Sequence, residues 1–532
     1  MKRKNYIYIL FGLLAFTLTA CEDYLDKLPD DRASLNTEEK ISSFITSAYG
    51  TRNPAFICEY SGDNFSFNGK TYTAQVNQEA LWKWEDVPTE GNDDPRSQWN
   101  NYYGAIGAAN AALEAIADMG NPASLNGQRA EALLCRAWSM FRLANIFCMA
   151  YNPEKDEEYL GLPYPKVAGE TVEERGTMKE LYENIDADIE EALPLIDEDH
   201  IKVPKYHFNR KASYAFAARF NLYYMKWEKA IQYATEAIGA DPRAVLRDWT
   251  EYVPLGSAAI ADAYVNSALA CNLMLHPAYS LMGRASWSSI YRRYGHSSKS
   301  YGYETFGAIA PWTRPAGGST SASYNSLYKA QKLYGSSPNY RFPSVTEFFE
   351  YTDKTGGSGY AHIVDAVFTT DETLLVRIEA EIMMKQYDNA VRDMNYWAGS
   401  HCNPSSSYFP TFTVESINEF MESRPYAPTY AESNKDKSLR KVLHPQGFTV
   451  ESGTQENMIE LLLHMRRLET LLQGLRFQDL KRYGIEFAHE IPDEDPLIFE
   501  AGDLRGAIQI PNDVVNAGME PNPRKTASAS QE

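Results

Sequence analysis

Seven aromatic side chains fall between Trp287 and Trp312: Trp287, Tyr291, Tyr294, Tyr301, Tyr303, Phe306 and Trp312. Arg292, Arg293 and Arg314 are interleaved with them. The surrounding chain is rich in Gly and Ser and shows little periodicity. Flat rings beside hydrogen-bond donors suit one chemistry in particular. The C–H faces of a sugar ring pack on Trp or Tyr, and its hydroxyls bond polar groups at the rim. Such groups are commonly carried on loops held by a rigid scaffold. Trp287, Tyr291, Tyr294, Tyr303, Trp312 and Arg292 are therefore candidate ligand-binding residues. Trp82, in "LWKWED", is another. Its alternation with Trp84 reads as a strand with both rings on one face, where they could equally be buried. For each of these rings the competing reading is packing within a Tyr-rich loop region.

Bond-making chemistry is much less visible. The nine His are scattered, with no HExxH and no His/Cys pairing at zinc spacing. There is no GxSxG elbow and no phosphate loop. A pair of glycosidase carboxylates comes from separate strands and cannot be read from spacing. Asp93–Asp94 is an acidic pair that could hold a structural calcium ion, although such pairs are usually solvated. No cofactor and no catalytic residue is expected. The formal charge of −20 disfavours nucleic acid and anionic lipid headgroups as partners.

The N-terminus has its own chemistry. Lys2, Arg3 and Lys4 precede an apolar run from Tyr6 to Ala20, which is too short to span a bilayer. The run ends in Leu18-Thr19-Ala20-Cys21, which resembles a bacterial lipobox. This resemblance implies cleavage before Cys21 and lipidation of its thiol. The alternatives are an ordinary signal peptide with an incidental Cys, or a short membrane helix. Several acyl chains anchor stably where one is marginal. The other cysteines, Cys58, Cys135, Cys148, Cys271 and Cys402, are odd in number and lack CxxC spacing, so no disulfide framework is expected.

These groups must be positioned by a mainly helical scaffold. Helices are expected over Glu38–Tyr49, Gln98–Met119, Asn126–Ala150, Gly176–Ile196 and Asp371–Ala398. Asn209–Ile238 reads as two antiparallel helices with a break near Lys226. A final amphipathic pair in "ENMIELLLHMRRLETLLQGLRFQDLKRYG" is broken at Gly474 and ended by Gly484. "LYYMKWEKAIQYA" and "MMKQYDNAVRDMN" each place an aromatic three residues before an Ala, Trp227 with Ala230 and Tyr387 with Ala390. This resembles the tetratricopeptide pattern of paired helices. Three stretches, 53–94, 280–360 and 401–454, read as irregular, and residues 521–532 as a mobile tail.

"RRLETLLQGLRFQDLKRYG" resembles the signature of the SusD/RagB family of nutrient-capturing surface lipoproteins. The matching positions are Arg467, Glu469, Gly474, Arg476, Asp479, Leu480 and Arg482. "DYLDKLP", "WNNYYGAIGAANAAL", "RAEALLCRAWSMFRLANIF", "LYENIDADIEEALPLI" and "AIQIPNDVVNAG" follow the family's order. The resemblance implies one SusD-like domain over 37–520, after a leader (1–20) and a lipidated tether (21–36). Its helical-pair scaffold would cover about 98–240 and 371–484, with ligand on the irregular loops. It further implies surface binding of an oligosaccharide without catalysis, and delivery to a SusC-like, TonB-dependent outer-membrane transporter. Glu22, Asp23 and Asp26 resemble the signal that sends such lipoproteins to the outer face. A peptide or another nutrient, or a surface glycoside hydrolase, are the rival functions. The signature charges read as structural, with Glu469 and Arg476 placed to pair across Gly474.

Overall fold

A computed structural model describes residues 35–170, 174–287 and 291–524 of the chain. The leader, Cys21 and the acids after it lie outside these residues. The helices begin where short polar side chains satisfy free amides. Thr37 accepts from the Lys40 amide at the start of Glu38–Ile45, and Asp94 from Ser97 at the start of Pro95–Asp118. Thr177 and Glu180 form a reciprocal capping box for Met178–Ala192. Asn209 caps Arg210–Tyr223, and Thr369 caps Thr370–Met383.

The repeat seen in the sequence extends to the backbone. Helices Arg210–Tyr223 and Trp227–Ile238 form one antiparallel pair, and Thr370–Met383 and Tyr387–His401 another. In the first turn Met225 has φ 60°, and in the second Lys385 has φ 58°. Each of these residues lies two positions before its aromatic. The Lys226 amide donates to Asn221 O at 2.9 Å, and the Gln386 amide to Glu381 O at 2.8 Å. Both turns thus close with the six-to-one bond of a Schellman motif. Ala230 and Ala390 are fully buried, so each second helix approaches its neighbours closely.

Several boundaries differ from the sequence reading. Residues 53–94 contain helices Ala55–Ser61 and Val76–Trp82, and residues 401–454 contain Val414–Glu422. All seven residues of Ala55–Ser61 are buried. A helix enclosed on every side has no polar stripe to give it away. "LWKWED" is not a strand: Trp82 ends a helix, and Trp84 adopts φ 54°. The expected helix over 371–398 is two, divided at Lys385. The tail is held at its start, where Asn522 is buried and donates to Phe147 O and Ile508 O.

The C-terminal signature joins elements. Arg466 pairs with Asp479 at 3.0 Å and lies 3.5 Å from Glu379. Arg482 reaches Glu379 at 2.6 Å. Glu469 and Arg476 do not pair across Gly474 as expected. Glu469 bonds His401 at 3.1 Å, while Arg476 forks onto Asp63 at 2.9 and 2.8 Å. Gly474 has φ 79°, and a Cβ there would meet Ala55 Cα and Cys58 Cβ at 3.0 Å. Cys58, Cys135, Cys148, Cys271 and Cys402 are free and buried.

One sheet links scaffold and loops. Ser358–Thr369 is its central strand, antiparallel to Asn272–Ala278 on one side and Glu347–Asp353 on the other. Its C-terminal end is buried and runs directly into helix Thr370–Met383. Its other end, with Glu347–Asp353, projects into solvent.

Candidate functional site

Trp287 is the last residue of a short helix, Met282–Trp287, and its side chain is 48 % exposed. That helix packs on the start of strand Glu347–Asp353. Gly283 makes this possible, since a Cβ there would meet the Glu347 amide nitrogen at 2.6 Å. The Arg341 guanidinium carbon lies 4.8 Å from the Trp287 ring centroid. Arg341 is itself buried and fixed by Ser286 Oγ at 2.9 Å, Gly283 O at 3.2 Å and Val345 O. Burial pushes its guanidinium down to about 10. Its Nε has no partner among the described residues. A buried cation anchored through Nη1 beneath an exposed indole holds that ring in one orientation.

Trp287 and Arg341 line an open cleft of about 840 Å³. Arg292, Arg284, Glu347, Thr346 and Ser257 contribute its polar rim. Arg284 forks onto Glu347, Nε to Oε2 at 2.9 Å and Nη2 to Oε1 at 3.0 Å. Hydrogen bonding to Glu347 raises the Arg284 guanidinium above its usual range. Arg292 donates to Ser337 O at 3.0 Å. Glu347 is the sole carboxylate among the lining residues. The cleft offers an aromatic face, cationic donors and small polar groups.

The structure separates the sequence candidates. Trp287 and Arg292 come together in the cleft. Tyr291 and Tyr303 are partly buried, and Tyr303 packs against the turn at Gly318. Trp312, Tyr294 and Trp82 are corrected to core positions, at 0 %, 0 % and 1 % exposure. Their rings stack inside the protein. Trp82 lies on Tyr294 (centroids 4.7 Å) and on His489 (3.6 Å, 6° between planes). Trp84 also stacks on His489, with centroids 4.4 Å apart and 11° between planes. Trp312 stacks on His464 at 5.7 Å and 8°, and packs on Trp397. Rings suited to a sugar face are equally suited to one another.

Sequence reasoning missed Arg341, Arg284 and Glu347, which lie outside the aromatic cluster or at its margin. The short alternation of "FEYT" over 349–352 was the available sign of a strand beside the site. Asp93 accepts from Ser280 Oγ and the Leu281 amide, so its carboxylate serves the loop at 280. Asp94 is spent on its helix cap. Among the described residues no group of three or more His, Cys, Asp or Glu is placed to hold a metal ion. No described helix is long and apolar enough to cross a membrane.

Residues 23–222 match a SusD-like family profile described as "Starch-binding associating with outer membrane". A search of curated proteins found no match. Solved structures resemble the fold over nearly its whole length. A putative sugar binding protein from Bacteroides vulgatus is 17 % identical, with 92 % of this chain and 99 % of that one covered and a TM-score of 0.64. A SusD superfamily protein from the same species is 19 % identical, covers 91 % and 97 %, and has a TM-score of 0.61. Another from Bacteroides thetaiotaomicron is 16 % identical, covers 91 % and 98 %, and has a TM-score of 0.58. The profile match is confined to residues 23–222, and the solved structures share the fold of nearly the whole chain.

Proposed function

We propose that the protein binds an oligosaccharide at the cell surface, without cleaving it, and delivers it to a SusC-like, TonB-dependent transporter. The observation that carries the reading is the exposed Trp287 ring fixed over buried Arg341 in an open polar cleft. One sugar ring stacks on the indole, and the Arg284, Arg292 and Thr346 side chains meet its hydroxyls. The family description of starch binding and outer-membrane association supports the same ligand class and location. Binding without catalysis is supported by the lining: glycoside hydrolysis uses two carboxylates, and the one here is clamped by Arg284. Cys21 is the lipid anchor, and Glu22, Asp23 and Asp26 direct the anchored protein to the outer face.

Glycan-array and affinity-gel measurements on the protein lacking its leader test the ligand class. The reading expects binding to at least one polysaccharide and no release of reducing ends. Silence on all glycans with firm binding to a peptide pool would overturn it. Enzyme-dependent release of reducing ends would overturn the non-catalytic part. Cys21→Ala tests the anchor, because the variant should leave the outer-membrane fraction.

A further inference from the structure

Strand Glu347–Asp353 begins in the cleft and leaves it. Glu347 lines the cleft, and side chains two residues apart share a face, so Phe349 and Tyr351 continue that face outward. The register is regular over Glu347–Tyr351, with Ile363, Ala361 and Gly359 directly opposite. Ala361 and Gly359 are small, and they leave the two aromatic rings uncovered. Phe349 is 47 % and Tyr351 54 % exposed. Their centroids lie 4.8 Å apart, nearly edge to face. A Cβ at Gly359 would meet Phe349 Cε1 at 2.9 Å, so the Phe349 ring rests on the bare strand. A glycine at such a position permits this close approach. Two aromatic rings on one face of a projecting ribbon are more apolar surface than solubility calls for.

The ribbon is also firmly rooted. Its central strand runs into the buried scaffold helix, and Arg284 ties its outer strand to the helix that ends in Trp287. The two aromatic sites are therefore held at a fixed separation. From Glu347 to Tyr351 the strand advances about 13 Å. Polar Glu350 and Thr352 alternate with the rings and fall on the opposite face of the strand.

We infer that Phe349 and Tyr351 form a distal platform that binds the outer units of a saccharide chain whose inner units occupy the Trp287 cleft. The inference rests on the proposed carbohydrate function and narrows it: the ligand is an extended chain of several units, not a mono- or disaccharide. Both platforms engage one molecule, so the second contact adds affinity without a second loss of translational freedom.

The test uses malto-, cello-, xylo- and manno-oligosaccharides, each as a trimer and a heptamer, titrated calorimetrically into the protein lacking its leader. The wild type should bind the heptamer of the preferred series at least about tenfold more tightly than its trimer, about 1.4 kcal/mol. Phe349→Ala/Tyr351→Ala should erase that length preference and leave trimer affinity unchanged. Tyr351→Ala alone, which leaves Phe349 on Gly359, should reduce the preference severalfold. A preserved length preference in the folded double variant overturns the distal platform while leaving the cleft reading intact. Equal losses for trimer and heptamer also overturn it. Binding of no oligosaccharide by the wild type refutes the underlying carbohydrate reading.

Discussion

The guanidinium of Arg341 lies beneath the indole of Trp287, 4.8 Å from its centroid, with its Nη1 donating to Ser286 Oγ and to the Gly283 and Val345 carbonyls. The relationship is asymmetric: the cation is buried and the ring exposed. A ring supported from below in this way keeps its outer face available to a ligand. Cation–π attraction in a desolvated setting is worth about 2 kcal/mol. Arg341→Met should therefore free the indole and weaken oligosaccharide binding about tenfold. Arg341→Lys should restore only part of the loss, because an ammonium has no planar face to lay against the indole. Paired measurements of affinity and melting temperature separate this effect from unfolding.

Trp312 carried the same sugar-platform signal as Trp287 in the sequence, and the structure assigns it another role. It is enclosed between His464 and Trp397. Trp312→Ala should cost about 3–5 kcal/mol of stability by leaving a cavity. Denaturant titration should show that loss, while oligosaccharide affinity in the folded fraction stays near wild type.

His464 supplies a pH dependence whose sign follows from its surroundings. Burial, with Arg467 and Arg476 adding to it, pushes its imidazole down to about 3. In the unfolded chain the same group titrates near about 6.5. Below that pH the unfolded state takes up a proton that the native state refuses. Stability from this group is therefore full above about pH 6.5 and falls as pH drops toward 3, by up to about 1.4 kcal/mol per unit. His464→Phe keeps a flat ring on Trp312 and removes the titration. Denaturation curves at pH 7 and pH 4.5 should show a smaller loss for the variant than for wild type. Equal losses would contradict the assignment.

The buried charges of the C-terminal signature are read as structural, and they can be tested as such. Removing one partner of a buried pair leaves the other uncompensated, at about 3–5 kcal/mol. Asp479→Ala should destabilise the fold by that order, since Arg466 and Arg482 both bond it. Oligosaccharide affinity of the folded protein should be unchanged, measured by titration below the unfolding transition.

The scaffold was legible because its helices are long and several open on recognisable caps. The Trp227–Ala230 and Tyr387–Ala390 correspondence even marked two turns of the same backbone geometry. The enclosed helix Ala55–Ser61 was not legible, since it has neither a polar stripe nor the length of the buried scaffold helices such as Asn126–Phe147. The cleft was half legible. Trp287 and Arg292 stood out as an aromatic and a donor in a loop. Trp312, Tyr294 and Trp82 carried the same signal, yet their neighbours in space are other rings drawn from distant parts of the chain. Composition distinguishes a stacking ring from a non-stacking one; it does not say whether the partner is a sugar or a histidine. Arg341 was invisible for a related reason, because its importance lies wholly in a contact with a residue 54 positions earlier.

The central claim is that Trp287 binds sugar. Calorimetric titration of wild type and Trp287→Ala with the preferred oligosaccharide tests it most directly. Loss of a central aromatic anchor should weaken binding by about 2 kcal/mol or more, roughly thirtyfold, with the melting temperature nearly unchanged. An affinity equal to wild type in the folded variant would contradict the account.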